Sequence, residues 1–292
     1  MLKLWIDAAR PRTLPVSVGP VVVAAAYAWY FDVFHPVIVS VCVVFALLAQ
    51  IASNFANDYF DYKKGADRSD RVGPRRAVAS GDISPQKMLK ATTFTLFLAC
   101  AIGSTLIYYG GWWLIIAGVL IALFAMAYSA GPYPLAYHGL GDVTVFIFFG
   151  LVAVGLTYFI QAGQINVPVI AGGAAIGLLS VNVLLVNNYR DMEADKISGK
   201  RTTVVLLGRN WAKWTYLFNG IIAIVLTSFV WEKDFLFFVP LIYVIFHLST
   251  WNKLVKRRGV DLNPVLGMTA RNLFIFTVLV CIGLCYAKWA GV

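Results

Sequence analysis

Acidic and amide side chains gather at two places in a chain that is otherwise strongly apolar. The first is the segment 54–67, NFANDYFDYKKGAD, in which Asn57, Asp58 and Asp61 follow Asn54 at helical spacings of three, four and seven residues. On a helix these side chains would share one face near its end. Carboxylates at the end of an apolar helix are costly to place there, so the pattern indicates a functional site.

A second segment, 187–195 or NNYRDMEAD, repeats this arrangement. It also closes an apolar run and precedes a charged link that contains glycine and basic residues, and Asp191 and Asp195 are four apart on one helix face. Equivalent placement of the two segments along the chain favours a duplicated helical unit over a chance match. We therefore interpret the segments as two halves of one site.

Two groups of carboxylate oxygens facing each other across a helical bundle suit Mg²⁺. This ion keeps several waters and commonly binds one or two protein carboxylates together with phosphate oxygens. Lysine and arginine side chains in the same links could hold the remaining phosphate charge. The pattern predicts a substrate with two or more phosphate groups, whereas the alternative is that the carboxylates pair only with neighbouring basic side chains.

The elements that must position these residues are membrane helices. The 292 residues are 60% hydrophobic and 13% charged, which is about half the charged fraction of a typical soluble domain. Several runs reach about 18 residues with almost no charge, long enough to cross a bilayer as a helix. We predict an all-α, polytopic membrane protein with a single transmembrane domain, 1–292, and about nine spans. The predicted spans are 14–31, 36–57, 89–109, 113–130, 143–161, 168–189, 212–231, 235–252 and 271–289.

The distribution of basic residues predicts the orientation. With nine spans, all of the 24 lysines and arginines except Lys233 and Lys288 fall on one side. Because positive residues mark the cytoplasmic side, the N-terminus and both acidic segments are expected there. The net charge of +10 is then that of a basic membrane face next to anionic lipid, and it requires no nucleic-acid partner.

The motifs also resemble those of a known family. NDYFDYKKGAD resembles the first aspartate-rich motif of the UbiA superfamily of intramembrane prenyltransferases, and RDMEAD resembles the second. RPRTLP, the RVGPRR tail and GPYPLAYHGLGD are similar to the branch that prenylates 1,4-dihydroxy-2-naphthoate. The resemblance implies a helical bundle around a central cavity in the bacterial inner membrane, with the active site toward the cytoplasm.

The resemblance further implies a reaction and its cofactor. Two Mg²⁺ ions on the two motifs would hold a polyprenyl diphosphate, and the naphthoate ring would replace the diphosphate with loss of CO₂, giving demethylmenaquinone. The implied partners are therefore the polyprenyl diphosphate, 1,4-dihydroxy-2-naphthoate and the lipid bilayer.

Each candidate residue receives a role on this basis. The predicted magnesium ligands are Asp58, Asp61, Asp67, Asp191, Asp195, Asn57 and Asn187, and the two pairs Asp58 with Asp61 and Asp191 with Asp195 are the catalytic core. The predicted diphosphate contacts are Lys64, Arg71, Arg75, Lys200 and Arg201. The predicted acceptor contacts are Asn54, Gln50, Arg12, Tyr128 and His138. For Asn54 and Gln50 the alternative is hydrogen bonding between helices, and for His138 it is a loop residue at the interface.

Two alternative functions remain open from the sequence. The first is a UbiA-type prenyltransferase with another aromatic acceptor, 4-hydroxybenzoate or homogentisate; Tyr137 and His138 stand where several other branches carry a basic residue, which weighs against it. The second is a secondary transporter, because intramembrane acids and internal repeats also occur there. Against transport, the acids lie at one face, and the spans lack paired mid-span glycine and proline breaks.

Overall fold

The computed structural model describes residues 1–66, 72–231, 236 and 238–291, without the side chain of Arg12. Within these residues every regular element is helical. The helices are α1 Leu2–Ala9, α2 Leu14–Tyr30, α3 Pro36–Lys63, α4 Pro85–Ser104, α5 Ile107–Gly110, α6 Leu114–Ala127, α7 Gly141–Val145, α8 Ala153–Ala162, α9 Val167–Ile197, α10 Thr203–Leu226, α11 Val239–Lys256 and α12 Asn263–Trp289. A π-helical turn, Phe146–Val152, joins α7 to α8.

Within the described residues each predicted apolar run coincides with a helix or with consecutive helical elements, so the prediction of an all-helical membrane protein is confirmed. Five helical stretches in the described part of the chain are long and apolar enough to cross a membrane. They are Pro36–Lys63, Pro85–Gly110, Gly141–Ala162, Val167–Ile197 and Gly259–Trp289. α1 and α2 meet at a bend of 57° and qualify only as a pair, and α6 is shorter than a typical span. The count of nine spans and the cytoplasmic N-terminus stay predictions.

The two helices that carry the acidic segments, α3 and α9, are built alike. Each has a proline in its first turn, where a backbone N–H would have no hydrogen-bond partner within the helix. Each continues for about two turns beyond its apolar run, and each is followed two residues later by a glycine with positive φ, Gly65 at 68° and Gly199 at 73°. Glycine adopts this conformation without strain, and in both helices it lies four residues after the last carboxylate, Asp61 or Asp195.

Close backbone contact fixes the π-helical turn between α7 and α8 against α9. A Cβ atom on Gly150, in the π-helical turn, would lie 2.6 Å from the carbonyl oxygen of Gly173 and 2.6 Å from the Cα of Gly177. Only glycine allows this approach, and small residues at helix contacts are the usual device for tight packing in membranes. The contact holds one wall of the central cavity in place.

The N-terminal helix α1 and the link after α3 cover the end of α3. Side chains of all three parts and of the start of α4 pack in one hydrophobic cluster, which includes Ala8, Phe55, Val78 and Met88, with Trp5 packed against it. The ring of Trp5 meets that of Phe55 edge to face with centroids 5.6 Å apart. This cluster places the backbone of the link directly beside the carboxylates of α3.

Candidate active site

A single cavity of about 1150 Å³ receives both acidic segments at one end. Asp58 and Asp61 enter it from α3, and Asp191 and Asp195 enter it from α9. Their exposed fractions are 2%, 4%, 8% and 9%, respectively. The structure therefore brings together the two segments that the sequence analysis assigned to one site, although they are more than a hundred residues apart along the chain.

Hydrogen bonds from outside α3 hold the first segment. The Tyr137 hydroxyl donates to Asp61 Oδ1 at 2.9 Å, and Arg76 Nη2 lies 3.8 Å from Asp61 Oδ2. The backbone N–H of Ala77 donates to Asp58 Oδ2 at 3.2 Å. Charge-assisted bonds of this kind orient carboxylates more strongly than neutral ones do. Asn57, also on the cavity wall, accepts a hydrogen bond from the Ser129 hydroxyl.

The second segment is organised by its own arginine. Arg190 donates from Nε to Asp191 Oδ1 at 2.7 Å and from Nη2 to Asp191 Oδ2 at 2.6 Å. It also donates to Asn187 Oδ1 at 2.7 Å and to Asn263 Oδ1 at 3.0 Å. Its side chain is only 1% exposed, so one buried guanidinium fixes three side chains around the second carboxylate pair.

The donor set fits Mg²⁺ held jointly with phosphate. Among the described residues no three histidine, cysteine, aspartate or glutamate side chains form a closed metal site. Magnesium seldom uses such a site, because it binds one or two carboxylates and completes its shell with water and substrate phosphates. Two separated carboxylate pairs on one cavity are suited to that mode, with Asn57 and Asn187 beside them.

The predicted diphosphate contacts fall into two groups. Lys200 and Arg75 line the cavity, although Arg75 pairs with Asp82 at 2.7 Å and its side chain is 70% exposed. Lys64 and Arg201 line a smaller neighbouring recess of about 250 Å³. The Nζ atoms of Lys64 and Lys200 lie 4.5 and 5.4 Å from the centroid of the Tyr137 ring, so this ring separates the recess from the carboxylates.

Lys64 also has an altered proton affinity. Partial burial lowers the pKa of its ammonium group from the ordinary value, and Lys200 lowers this pKa further, whereas Asp61 raises it. Its Nζ donates to the backbone carbonyl of Ser129 at 2.7 Å. Lys64 thus fixes the loop that carries Tyr137.

The predicted acceptor contacts are also divided. Gln50, Asn54 and Tyr128 line the cavity. The amide of Asn54 donates to the Ala9 carbonyl at 2.9 Å and to the Thr13 hydroxyl at 3.1 Å, and it accepts from Gln50 at 3.2 Å. Asn54 therefore ties the N-terminal segment to α3, whereas Oε1 of Gln50 is buried with no hydrogen-bond partner among the described residues.

Of the four remaining predicted residues, one lies in the smaller recess, and the side chains of the other three are outside the described part of the chain. His138 lines the smaller recess, stacked on Tyr133 with ring centroids 3.6 Å apart. Asp67 and Arg71 lie outside the described residues. The backbone of Arg12 is in a short 3₁₀ turn, Pro11–Thr13, and its side chain is not described.

The structure adds residues that sequence reasoning had not assigned to the site. Arg76, whose side chain is 11% exposed, points to Asp61, whereas its exposed neighbour Arg75 was the predicted contact. Arg190 was counted only as positive charge on the cytoplasmic side. Its place inside the second motif, directly before Asp191, is a signal that could have identified it. Asn263 reaches the site from α12 and carries no such signal.

Beyond the carboxylates the cavity becomes apolar. It continues between α3, α4, α6 and α8, and its far end is lined by buried side chains that belong to one hydrophobic cluster, among them Cys42, Leu106 and Ile160. The cavity therefore combines a polar, ionic end with a long hydrocarbon-like end, which suits a ligand with a charged head and an apolar tail.

Comparison with known proteins agrees with this geometry. The model of the UbiA prenyltransferase family matches residues 17–275. The chain belongs to the UbiA prenyltransferase family. UbiA relatives include 1,4-dihydroxy-2-naphthoate octaprenyltransferase of Escherichia coli K12, which is 33% identical over 98% of this chain and 96% of the relative. The protein with the same name from Mycobacterium tuberculosis H37Rv is 38% identical over 75% of this chain and 74% of its own.

A solved UbiA structure has the same fold. The UbiA homolog from Archaeoglobus fulgidus bound to DMAPP and Mg²⁺ superposes with a TM-score of 0.65 over 95% of this chain and 99% of that chain, at 15% identity. At this identity the likeness establishes the arrangement of helices. It confirms the predicted helical bundle.

Proposed function

We propose that the protein transfers a polyprenyl group from a polyprenyl diphosphate to 1,4-dihydroxy-2-naphthoate, with loss of diphosphate and CO₂, to give demethylmenaquinone. The observation that carries the proposal is the convergence of two repeated carboxylate segments on the polar end of an otherwise apolar cavity. The names of the relatives that match most of the chain support the naphthoate as acceptor.

The donor would bind with its diphosphate at the carboxylate end and its tail in the apolar part. Asp58, Asp61, Asp191 and Asp195 would hold two Mg²⁺ ions, with Asn57 and Asn187 assisting. Bound Mg²⁺ would neutralise the charge that develops on the departing diphosphate. The binding of DMAPP and Mg²⁺ by a protein of the same fold supports this arrangement.

Protein side chains would complete the stabilisation of the leaving group. Lys200 and Arg76 lie on the cavity wall next to the carboxylates, and cationic donors placed where negative charge develops lower the barrier to its release. Lys64 and Arg201 hold the adjacent loop and recess. The apolar wall keeps water from the allylic cation that forms when the bond to diphosphate breaks.

The acceptor would bind on the side of the prenyl group that faces α1 and the start of α2. Gln50 offers a buried oxygen without a partner among the described residues, which suits a ring hydroxyl, because an unmet buried acceptor gains a full hydrogen bond on binding. Arg10 also lines this part of the cavity and could pair with the ring carboxylate. Its φ of 53° is unusual for a residue other than glycine and fixes the turn that aims the side chain inward.

Nine membrane spans with a cytoplasmic N-terminus in a bacterial inner membrane complete the proposal. This topology puts nearly all basic residues on one side and opens the carboxylate end of the cavity to the cytoplasm. Soluble Mg²⁺ and naphthoate would then enter from the cytoplasm, while the prenyl tail stays in the bilayer.

The test is transfer by purified protein in lipid, with and without Mg²⁺, to dihydroxynaphthoate, 4-hydroxybenzoate and homogentisate, together with measurement of CO₂ release. We expect prenylated naphthoate and CO₂ only when Mg²⁺ is present. Asp58→Ala and Asp191→Ala should each abolish turnover while membrane insertion is retained. The matched control is Asp32→Asn, because Asp32 pairs with Lys288 outside the cavity; it should retain activity. Full turnover in either alanine variant would exclude the two-segment mechanism. Preference for another ring would exclude 1,4-dihydroxy-2-naphthoate as the acceptor.

A further inference from the structure

One position on α6 lacks a side chain where the apolar part of the cavity needs space. Gly118 lines the cavity, and a Cβ atom built on it would meet no atom within 4 Å. By contrast, a Cβ on Gly103, which also lines the cavity, would lie 2.9 Å from the ring of Phe45. Gly103 is therefore explained by packing against a neighbouring helix, whereas Gly118 is explained only by the free space in front of it.

The helical period shows which way position 118 faces. In α6 the residues absent from the cavity wall are Ile116, Leu120 and Ala127, and the side chains of Ile116 and Leu120 are 66% and 47% exposed. At about 100° per residue these three positions lie within about 40° of one another. Gly118 is about 180° from their centre, so its Cα–H bond points into the cavity.

The depth of Gly118 follows from the helix rise. Tyr128, at the end of α6, lies near the carboxylates, because the next residue, Ser129, donates a hydrogen bond to Asn57 in the first acidic segment. Gly118 is ten residues from Tyr128, or about 15 Å along the helix at 1.5 Å per residue. The three backbone bonds of an extended residue span about 3.5 Å, so the four-bond repeat of an isoprene chain spans about 4.7 Å by the same geometry. About three isoprene units therefore fit between the carboxylate end and Gly118.

We propose that Gly118 determines the chain length of the prenyl donor, by leaving the cavity open to the fourth and later isoprene units. The inference rests on the proposed function and extends it to donor specificity. A side chain at position 118 would occupy the path of a long tail and leave the space between position 118 and the carboxylates unchanged, so short donors would bind as before. Leucine suits the test, because it is a strong helix former and glycine is a poor one, and the helix itself gains stability.

The experiment compares Gly118→Leu with wild type on donors of two, three, four and eight isoprene units. We expect kcat/KM to stay within about twofold for two and three units and to fall at least about tenfold for eight units, which is what about 1.4 kcal/mol of overpacking produces. Gly118→Ala should give a smaller loss of the same kind. Leu120→Phe enlarges a side chain on the outward face of the same helix and should leave the profile unchanged.

Two results would overturn the inference: an equal loss at every donor length, or no loss at eight units. Competition against a labelled two-unit diphosphate supplies a readout that does not depend on the acceptor. If wild type prenylates no naphthoate, the proposed function fails, and the competition still decides the role of Gly118. Weaker binding of the eight-unit diphosphate alone in Gly118→Leu supports the inference, and unchanged relative binding refutes it.

Discussion

Replacement of Arg190 by leucine should destabilise the protein far more than loss of an arginine–aspartate pair at the surface. The guanidinium of Arg190 is 1% exposed and donates two hydrogen bonds to Asp191, one to Asn187 and one to Asn263. Removing one member of a buried ion pair leaves the other charge without compensation, which costs about 3–5 kcal/mol. We expect a loss of about 4 kcal/mol in the free energy of unfolding in the absence of ligands.

Arg75 provides the matched control. It forms the same two-pronged contact with one carboxylate, from Nε and Nη2 to Asp82 at 2.8 and 2.7 Å. Its side chain is 70% exposed, and exposed pairs contribute about 0–1 kcal/mol because water and salt screen them. Arg75→Leu should therefore change the unfolding free energy by less than about 1 kcal/mol.

The assay is denaturant-induced unfolding of purified protein in detergent, with and without Mg²⁺ and inorganic diphosphate. Because a bound cation would compensate Asp191, these ligands should recover part of the stability lost in Arg190→Leu. The double variant Arg190→Leu with Asp191→Leu removes both charges and should recover most of it, since apolar replacements for buried pairs are often neutral. Equal destabilisation by Arg190→Leu and Arg75→Leu would refute the reasoning.

Further predictions concern the tyrosine beside the first segment, the N-terminal tether and one helix contact. Tyr137→Phe removes the hydrogen bond to Asp61 and should raise the Mg²⁺ concentration for half-maximal turnover about tenfold or more, as losses of partners behind metal ligands do. Asn54→Leu removes two interhelical bonds and should speed hydrogen exchange in residues 2–13 selectively; uniform exchange rates would contradict it. Gly220→Ala would put a Cβ atom 2.2 Å from Nε2 of His247 and should cost about 1–3 kcal/mol in unfolding experiments.

The helices and the pairing of the two motifs could be predicted because local signals determine them. Apolar runs of membrane length identify the helices, and the repeat pairs Asp61 with Asp191 by equivalent spacing. The partners of Asp61 and of Arg190 could not be predicted, because Tyr137, Arg76 and Asn263 reach the site through the folding of distant loops and helices. Spacing along the chain carries no information about such contacts.

The basic residues show most clearly what could not be predicted from the sequence. Arg75 and Arg76 are adjacent, and the sequence offers no reason to prefer one, yet Arg76 is buried against Asp61 and Arg75 is exposed beside Asp82. Packing of Ala77 and Val78 against α1 and α3 decides which side chain turns inward. That choice depends on tertiary contacts of the link, and it could not be predicted from the local motif.

The two copies of the motif differ in sequence, and we expect them to contribute unequally to Mg²⁺ binding. Where the first copy has Asp58 and Phe60, the second has Asn188 and Arg190. The second copy therefore carries its own cation, bound to Asp191, whereas the carboxylates of the first receive Arg76, Tyr137 and a backbone N–H from other parts of the chain. Arg190 holds Asp191 through two bonds of 2.7 and 2.6 Å, whereas Arg76 stays 3.8 Å from Asp61. Because a carboxylate in close contact with a guanidinium attracts Mg²⁺ less strongly, we expect the first copy to bind the ion more tightly. Asp61→Asn should then raise the Mg²⁺ requirement of turnover more than Asp191→Asn does, and the reverse order would show that Arg190 releases Asp191 when the substrate binds.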